Sequence, residues 1–403
     1  MKIAFVTLYD ARDVTRMSGT GHHISRGLEQ CGADIHYIGP LKPQYHPVNL
    51  ARYVWNHHVL GRNDHPQRDP GFLRHYARQV EAALRETEVD VILASGGLPV
   101  AYLETDLPLV LWTDCTFAGL HNYYEKYSNL SRRTERDGHA CDQNLFDRIT
   151  RAIFPSQWAA DSAVNAYGFD RSRIRLIARG AGVPDDRSRE QIEELVASRP
   201  RDRCRLLFIG LDWTRKGGPF AVAVVDELRR RGVDADLTVV GSSSERTGPQ
   251  PEFVEVLGRI DKNQPDGLRR ITELYARSHF FVLPTRAEAF GIVFCEASAF
   301  GVPSLSFRTG GVPSAVRDEV NGRCFDLDAP PAAFADYVQR LIADPAAYRQ
   351  LALSAFDEYR QRLNWTVVSE QAMGVLREAA AEAPGAASSR RARAPTVQRG
   401  RCA

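Results

Sequence analysis

A chain of 403 residues is too long for one hydrophobic core, so two domains are the default. Its 43% hydrophobic and 25% charged composition fits a soluble globular protein, and a net charge of +2 is too balanced for bulk nucleic-acid binding. No apolar run approaches the roughly 20 residues of a membrane span, and the seven cysteines are scattered without a CxxC pair, as expected for reduced thiols in a cytoplasm.

The N-terminus reads as a strand and not as a signal peptide, because KIAFVTL (2–8) lacks a long apolar core and a cleavage site. The loop RMSGTGHH (16–23) follows, with Gly19 and Thr20, and then a helix over 24–32 closed by Gly32. Strands are predicted over 34–40, 90–97, 108–114 and 151–157, and 174–183 ends this half in a glycine-rich hinge. Within that half, residues 42–78 are rich in Arg, His and aromatic side chains. They read either as helices with a basic outer face or as a surface for anionic lipid headgroups. Zinc is the weaker reading, since no cysteine or HExxH spacing accompanies the histidines.

A second series of strands starts at 204–210 and continues at 235–241, 252–258, 280–285 and 302–307, with a helix over 219–232. Strands alternating with helices imply parallel sheets, so the fold class is α/β, with two Rossmann-like, doubly wound domains facing a cleft. The expected boundaries are 1–182, 183–362, a terminal helix over 363–383 and a disordered tail over 384–403, the last from its Pro, Ala, Ser and Arg content.

The chemistry is expected at strand ends of the second half. In EAFGIVFCEA (288–297), Glu288 lies on an approach loop. A helix is expected from Gly291 or Ile292 to about Phe300, with Glu296 about one turn in. The first-turn amides of such a helix seat phosphate, and acceptor-only carboxylates suit sugar or ribose hydroxyls. Taken singly, Glu288 also reads as a charge that stabilises the helix dipole, and Glu296 as part of a solvated face. Two flanking stretches favour the ligand reading. Arg215 and Lys216 in FIGLDWTRKGG (208–218) are cations suited to a diphosphate, and Gly310–Gly311 form a tight turn. Gly19 and Thr20 would face the same ligand from the first half. Neither a P-loop nor a dinucleotide fingerprint is present.

Glu288 through Glu296 resembles the E-x7-E signature of retaining glycosyltransferases of family 4, which have the GT-B fold. FIGLDWTRKGG, GGVPS and NGRCF (321–325) resemble its donor-binding domain in order, and 153–183 resembles the end of its first domain. The resemblance implies that Glu288 binds donor-sugar hydroxyls, Glu296 the ribose, and Arg215 and Lys216 the diphosphate. It also implies sugar and phosphate contacts from the backbone amides of Ala289, Phe290, Gly291 and Ile292, and a phosphate approach by Gly19.

The sequence departs from the family in three places. Leu211 stands where an Arg is frequent, Asp114 is the nearest match to an acceptor-side His, and Ser314 replaces a frequent acid. Asp114 reads equally as a hydroxyl-orienting base or as a strand-end cap. The implied reaction is front-face transfer of a sugar from a UDP- or GDP-linked donor to a sugar, lipid-linked or other hydroxyl acceptor. The protein would be cytoplasmic or peripheral at the inner membrane face. No cofactor and no essential metal are expected, since DAD (234–236) and DLD (326–328) read as turns. A GT-B nucleotide-sugar epimerase and a non-catalytic two-domain sugar or nucleotide binder remain as alternatives.

Overall fold

Strands that are apolar on both faces need cover on both sides. β1 (Lys2–Val6) meets this condition, with Ile3, Ala4, Phe5 and Val6 fully buried. In the computed structural model, which describes residues 1–44, 47–184 and 187–382, it pairs in parallel with β2 (Asp34–Ile38) and β3 (Val91–Ser95). β4 (Leu109–Trp112), β5 (Arg151–Phe154) and β6 (Ile174–Leu176) extend the sheet to the order β2-β1-β3-β4-β5-β6. The expected disordered tail, and Tyr45 and His46, lie outside the described residues.

The second lobe repeats the plan. β7 (Cys204–Ile209), β8 (Ala235–Val240), β9 (Val254–Val256), β10 (Phe280–Val282), β11 (Ser304–Phe307) and β12 (Gly322–Phe325) give a parallel sheet in the order β12-β11-β10-β7-β8-β9. Winding runs outward in both directions, from β1 and β3 in one sheet and from β7 and β10 in the other. Loops at those switch points diverge and leave a crevice at the carboxyl ends. Two doubly wound parallel domains are therefore present, as the strand–helix alternation implied.

Local differences have local causes. The first helix spans Thr20–Gln30 and starts four residues earlier than expected, because Gly19, at φ 74°, turns the chain into it. Met17 and Ser18 also have positive φ, 48° and 57°, a conformation that costs non-glycine residues free energy. The strand expected over 151–157 stops at Phe154, since Ser156 caps the helix Gln157–Tyr167 by accepting the Ala159 N–H. The helix expected near Pro313 is a single turn, Val312–Ala315.

The terminal helix Trp365–Glu382 crosses back to the first lobe. Val368, Ala372, Met373, Leu376 and Ala379 bury themselves against Ile3, Phe5, Ile24, Leu28 and Val91. Glycines allow the close fit: a Cβ at Gly27 would overlap the Ser369 hydroxyl, and one at Gly180 would overlap the Trp365 ring. Leu376 is fully buried in this seam. Leu376→Ala is expected to cost about 2–5 kcal/mol, read as a lower urea midpoint. A loss below roughly 0.5 kcal/mol would mean that the seam does not hold the first lobe together.

Candidate active site

The crevice beside β7 and β10 is built from two loops that grip each other. In the loop after β7, Asp212 accepts the Arg215 N–H at 3.0 Å and the Arg215 Nε at 3.1 Å. Gly217, at φ 80°, lies against the Pro284 carbonyl, where a Cβ would overlap. With the loop pressed down, Arg215 Nη1 donates to the Ala287 carbonyl at 2.8 Å, and the Arg286 N–H donates to the Arg215 carbonyl at 2.9 Å. Lys216 Nζ forms an ion pair with Glu288 Oε2, both side chains being largely buried. Leu211 points away, 59% exposed.

The helix that follows spans Ile292–Ser298 and starts from Gly291, at φ 92°. Glu296 is 2% exposed, which excludes a solvated face. Lys262 Nζ reaches its Oε1 at 2.5 Å, and the Tyr275 hydroxyl donates to Oε2 at 3.1 Å. Burial, and then the Glu296 charge, raise the Tyr275 phenol well above its ordinary value, so it stays protonated as a donor. Lys262 escaped the sequence reading because a single lysine in the polar run DKNQ carries no periodic or motif signal. The hinge passes over this pair: a Cβ on Gly182 would stand 2.6 Å from Lys262 Nζ and 2.9 Å from Glu296 Oε1.

The first lobe contributes another fixed charge. Asp114, just past β4, accepts Arg179 Nε at 2.9 Å and Nη2 at 2.6 Å. Arg179 is 3% exposed and lies over the Trp112 ring, 5.3 Å from its centroid, while Asp114 stays half exposed. The carboxylate is thus held by a buried guanidinium. A cavity of about 230 Å³ lies beside it, lined by Tyr9, Met17, Thr20, Ser95, Gly96, Asp114 and Arg179 among others. Arg179 belongs to the hinge stretch IARGAGV, where the sequence shows only glycine flexibility. Its carbonyl accepts the Cys295 thiol at 3.4 Å, which joins the acceptor-side pair to the helix that carries Glu296.

Gly19 ends the strained turn below His23, whose imidazole stacks on Trp365 at 5.3 Å. Burial, then the neighbouring His22 and Lys262, lower the His23 pKa to about 4. Ser314 accepts the Gln157 N–H across the lobes at 3.1 Å. The two acid pairs that imitate a metal motif are turned to other uses: Asp234 pairs with Arg203 at 2.9 Å and with Arg229 at 3.2 Å, and Asp326 lies 3.9 Å from Arg308. Among the described residues, no group of three His, Cys, Asp or Glu side chains is arranged to hold a metal ion.

Over 42–78, Lys42, Arg62, Arg74 and Arg78 are exposed, as a basic outer face requires, while Arg52 and Arg68 turn inward. Arg52 turns to Asp64 at 3.1 Å, Arg68 is buried against Asp142 at 3.3 Å, and Arg74 covers the Tyr102 ring. Most exposed large hydrophobic side chains among the described residues lie here too, including Leu50, Val54, Trp55, Val59 and Leu60. The sequence shows how many arginines there are and not where they point.

The family model described as "Glycosyltransferase Family 4" matches residues 20–182, and that described as "Glycosyl transferases group 1" matches 203–344. The chain belongs to glycosyltransferase family 4. A D-inositol 3-phosphate glycosyltransferase of Acidothermus cellulolyticus is 30% identical over 247 residues, covering 57% of this chain and 54% of the relative. One from Corynebacterium diphtheriae is 25% identical over 288 residues, covering 68% and 66%. The chain thus spans between half and two thirds of the length of these relatives.

Among solved structures, sucrose-phosphate synthase from Thermosynechococcus elongatus superposes with a TM-score of 0.64 at 17% identity, covering 94% of this chain and 98% of that one. Anabaena HepE in complex with UDP gives 0.61 at 16% identity, covering 94% and 100%. These likenesses show the fold alone, and it is GT-B. No helix among the described residues is long and apolar enough to cross a membrane.

The partly buried, neutral His23 gives the protein a pH dependence of stability. Its folded pKa lies below the unfolded value of about 6.5, so its contribution is complete above that value. It is lost as pH falls from there toward about 4. His23→Gln is expected to flatten the decline of the urea midpoint over that window. Parallel curves for the two proteins would exclude the effect.

Proposed function

We propose that this chain is a retaining glycosyltransferase that moves a sugar from a nucleoside-diphosphate sugar to an acceptor hydroxyl, in glycan, surface-polysaccharide or glycolipid assembly. The observation that carries the reading is the meeting of Arg215, Lys216 and Glu288 at one switch-point crevice, with Glu296 on the helix that leaves it. A sugar–diphosphate–nucleoside offers hydroxyls to the two carboxylates and charge to the two cations.

In this reading Lys216 exchanges its Glu288 partner for the diphosphate, and Arg215 shares the charge. Both stabilise the leaving group as negative charge grows. Glu288, freed of the ammonium, accepts donor-sugar hydroxyls. Glu296, held by Lys262 and Tyr275, accepts ribose hydroxyls. Amides of Ala289, Phe290, Gly291 and Ile292 reach sugar and phosphate, and Gly19 and Thr20 approach from the other lobe.

The anomeric C–O bond breaks with its electron pair going to the diphosphate. The acceptor oxygen then bonds to the same face, and its proton passes to a departing phosphate oxygen. Asp114, held by Arg179, orients the acceptor hydroxyl. Two protein cations serve the leaving group, so no essential metal is part of the reading. HepE was solved with UDP, with UDP and glucose, and with UDP-glucose, which makes UDP-linked sugars the first donors to test.

Lys216→Met is expected to lower transfer about 10²–10³-fold, the size seen when one preorganised donor to a developing anion is removed. Glu288→Gln should fall similarly. The measurement is nucleoside diphosphate released from a panel of UDP- and GDP-sugars. Absence of both release and thermal shift with every donor would sink the reading.

The acceptor side further suggests a lipid-linked substrate and a peripheral position at the inner membrane face. Trp55 and Leu60, 58% and 49% exposed, project beside Arg62 and the pair His57–His58. Protein mixed with vesicles containing anionic lipid should co-sediment at low salt, and Trp55→Ser with Leu60→Ser should release it. A supernatant retaining all of the unmodified protein would remove the membrane from the proposal.

A further inference from the structure

Tyr123 belongs to the first lobe, just past the short helix Phe117–Leu120, yet its hydroxyl ends in the second lobe. There it accepts the Glu288 N–H at 2.9 Å, and it lies 3.0 Å from Thr309 Oγ1 and 3.3 Å from the Glu288 carbonyl. A phenol has one proton, so it donates to one of those oxygens while accepting from the amide. The Glu288 carbonyl also accepts the Gly311 N–H at 2.9 Å. The peptide unit carrying the donor-facing carboxylate is thus gripped from both lobes.

Three further features fit the second lobe to this hydroxyl. Gly310 has φ 48°, and a Cβ there would overlap the Tyr123 hydroxyl. The Tyr123 ring packs on Trp158 of its own lobe at 4.7 Å, which aims the phenol. The next residue, Tyr124, takes the Arg215 guanidinium over its ring at 5.6 Å, and its hydroxyl faces the Ala289 amide. Adjacent tyrosines therefore land on the loops of both Glu288 and Arg215.

We propose that Tyr123 is a positioning residue that sets the Glu288 peptide only when the lobes are shut. Opening the cleft withdraws the hydroxyl and leaves the Glu288 amide without its partner, so the donor loop reaches its working geometry only where water is excluded. This deepens the glycosyltransferase reading and rests on it: the clamp ties donor activation to closure and so limits loss of the sugar to water.

Tyr123→Phe removes the hydroxyl but keeps the ring on Trp158 and is the clean test, whereas Gly310→Ala obstructs both the hydroxyl and the Glu288 carbonyl from the other side. Small-angle scattering of the unliganded proteins should show a larger radius of gyration in both variants than in the wild type. Identical radii overturn the clamp, whatever the enzyme acts on. With a UDP-sugar donor and its acceptor, kcat should fall roughly tenfold with little change in donor KM, and free sugar should rise relative to transferred product. A fall in kcat with an unchanged ratio of hydrolysis to transfer assigns Tyr123 a merely structural role and overturns the proposal. If the wild type turns over no donor, the glycosyltransferase reading fails, and the scattering comparison still decides the clamp.

Discussion

The ion pair between Lys216 and Glu288 fixes the geometry on which the rest of the crevice depends. It joins the loop after β7 to the loop after β10, the two segments that diverge at the switch point of the second sheet. Opposite charges that are largely buried need each other, because either alone would be a costly desolvated ion. Without a ligand, each supplies the other's counter-charge. Arg215 adds a second anchor through the Ala287 carbonyl, so the loops are held in register by more than the ion pair.

A second network of the same kind lies farther along the site helix. Glu296 has two protein donors, Lys262 and Tyr275, and sits beneath the hinge at Gly182. Arg179 then links the hinge to Asp114 in the first lobe. Charge is thus distributed along the crevice in matched sets, each anchored to a different element. Low local dielectric makes these sets stiff, and their shared contacts with the hinge make them sensitive to lobe position.

Much of this was legible in the sequence because it follows from short-range rules. The buried strands of both sheets showed as apolar runs, and the spacing from Glu288 to Glu296 was visible before any coordinates. The site helix was expected to start at Gly291 or Ile292, and it runs from Ile292 with Gly291 as its N-cap. Lys262 and Arg179 were not legible, because their roles come from tertiary proximity across 34 residues in one case and 65 in the other. Tyr123 meets Glu288 across 165 residues. That Arg52 and Arg68, of all the cations in 42–78, turn inward was not legible for the same reason. Composition reports how much charge a segment carries, while packing against Asp64, Asp142 and Phe117 decides which of it faces water.

The terminal helix has a consequence for how the molecule is made. Its apolar side covers Ile3, Phe5 and Val91, residues that leave the ribosome long before it does. Until that helix is synthesised, the part of this face of the first sheet that Ile24 and Leu28 of the first helix leave uncovered presents apolar surface to its surroundings. The second lobe, complete by β12 and its helices, has its own core and does not wait. Vectorial synthesis therefore favours a nascent chain whose later half is finished first, and the earliest strands stay exposed to chaperones and to misassembly until the end.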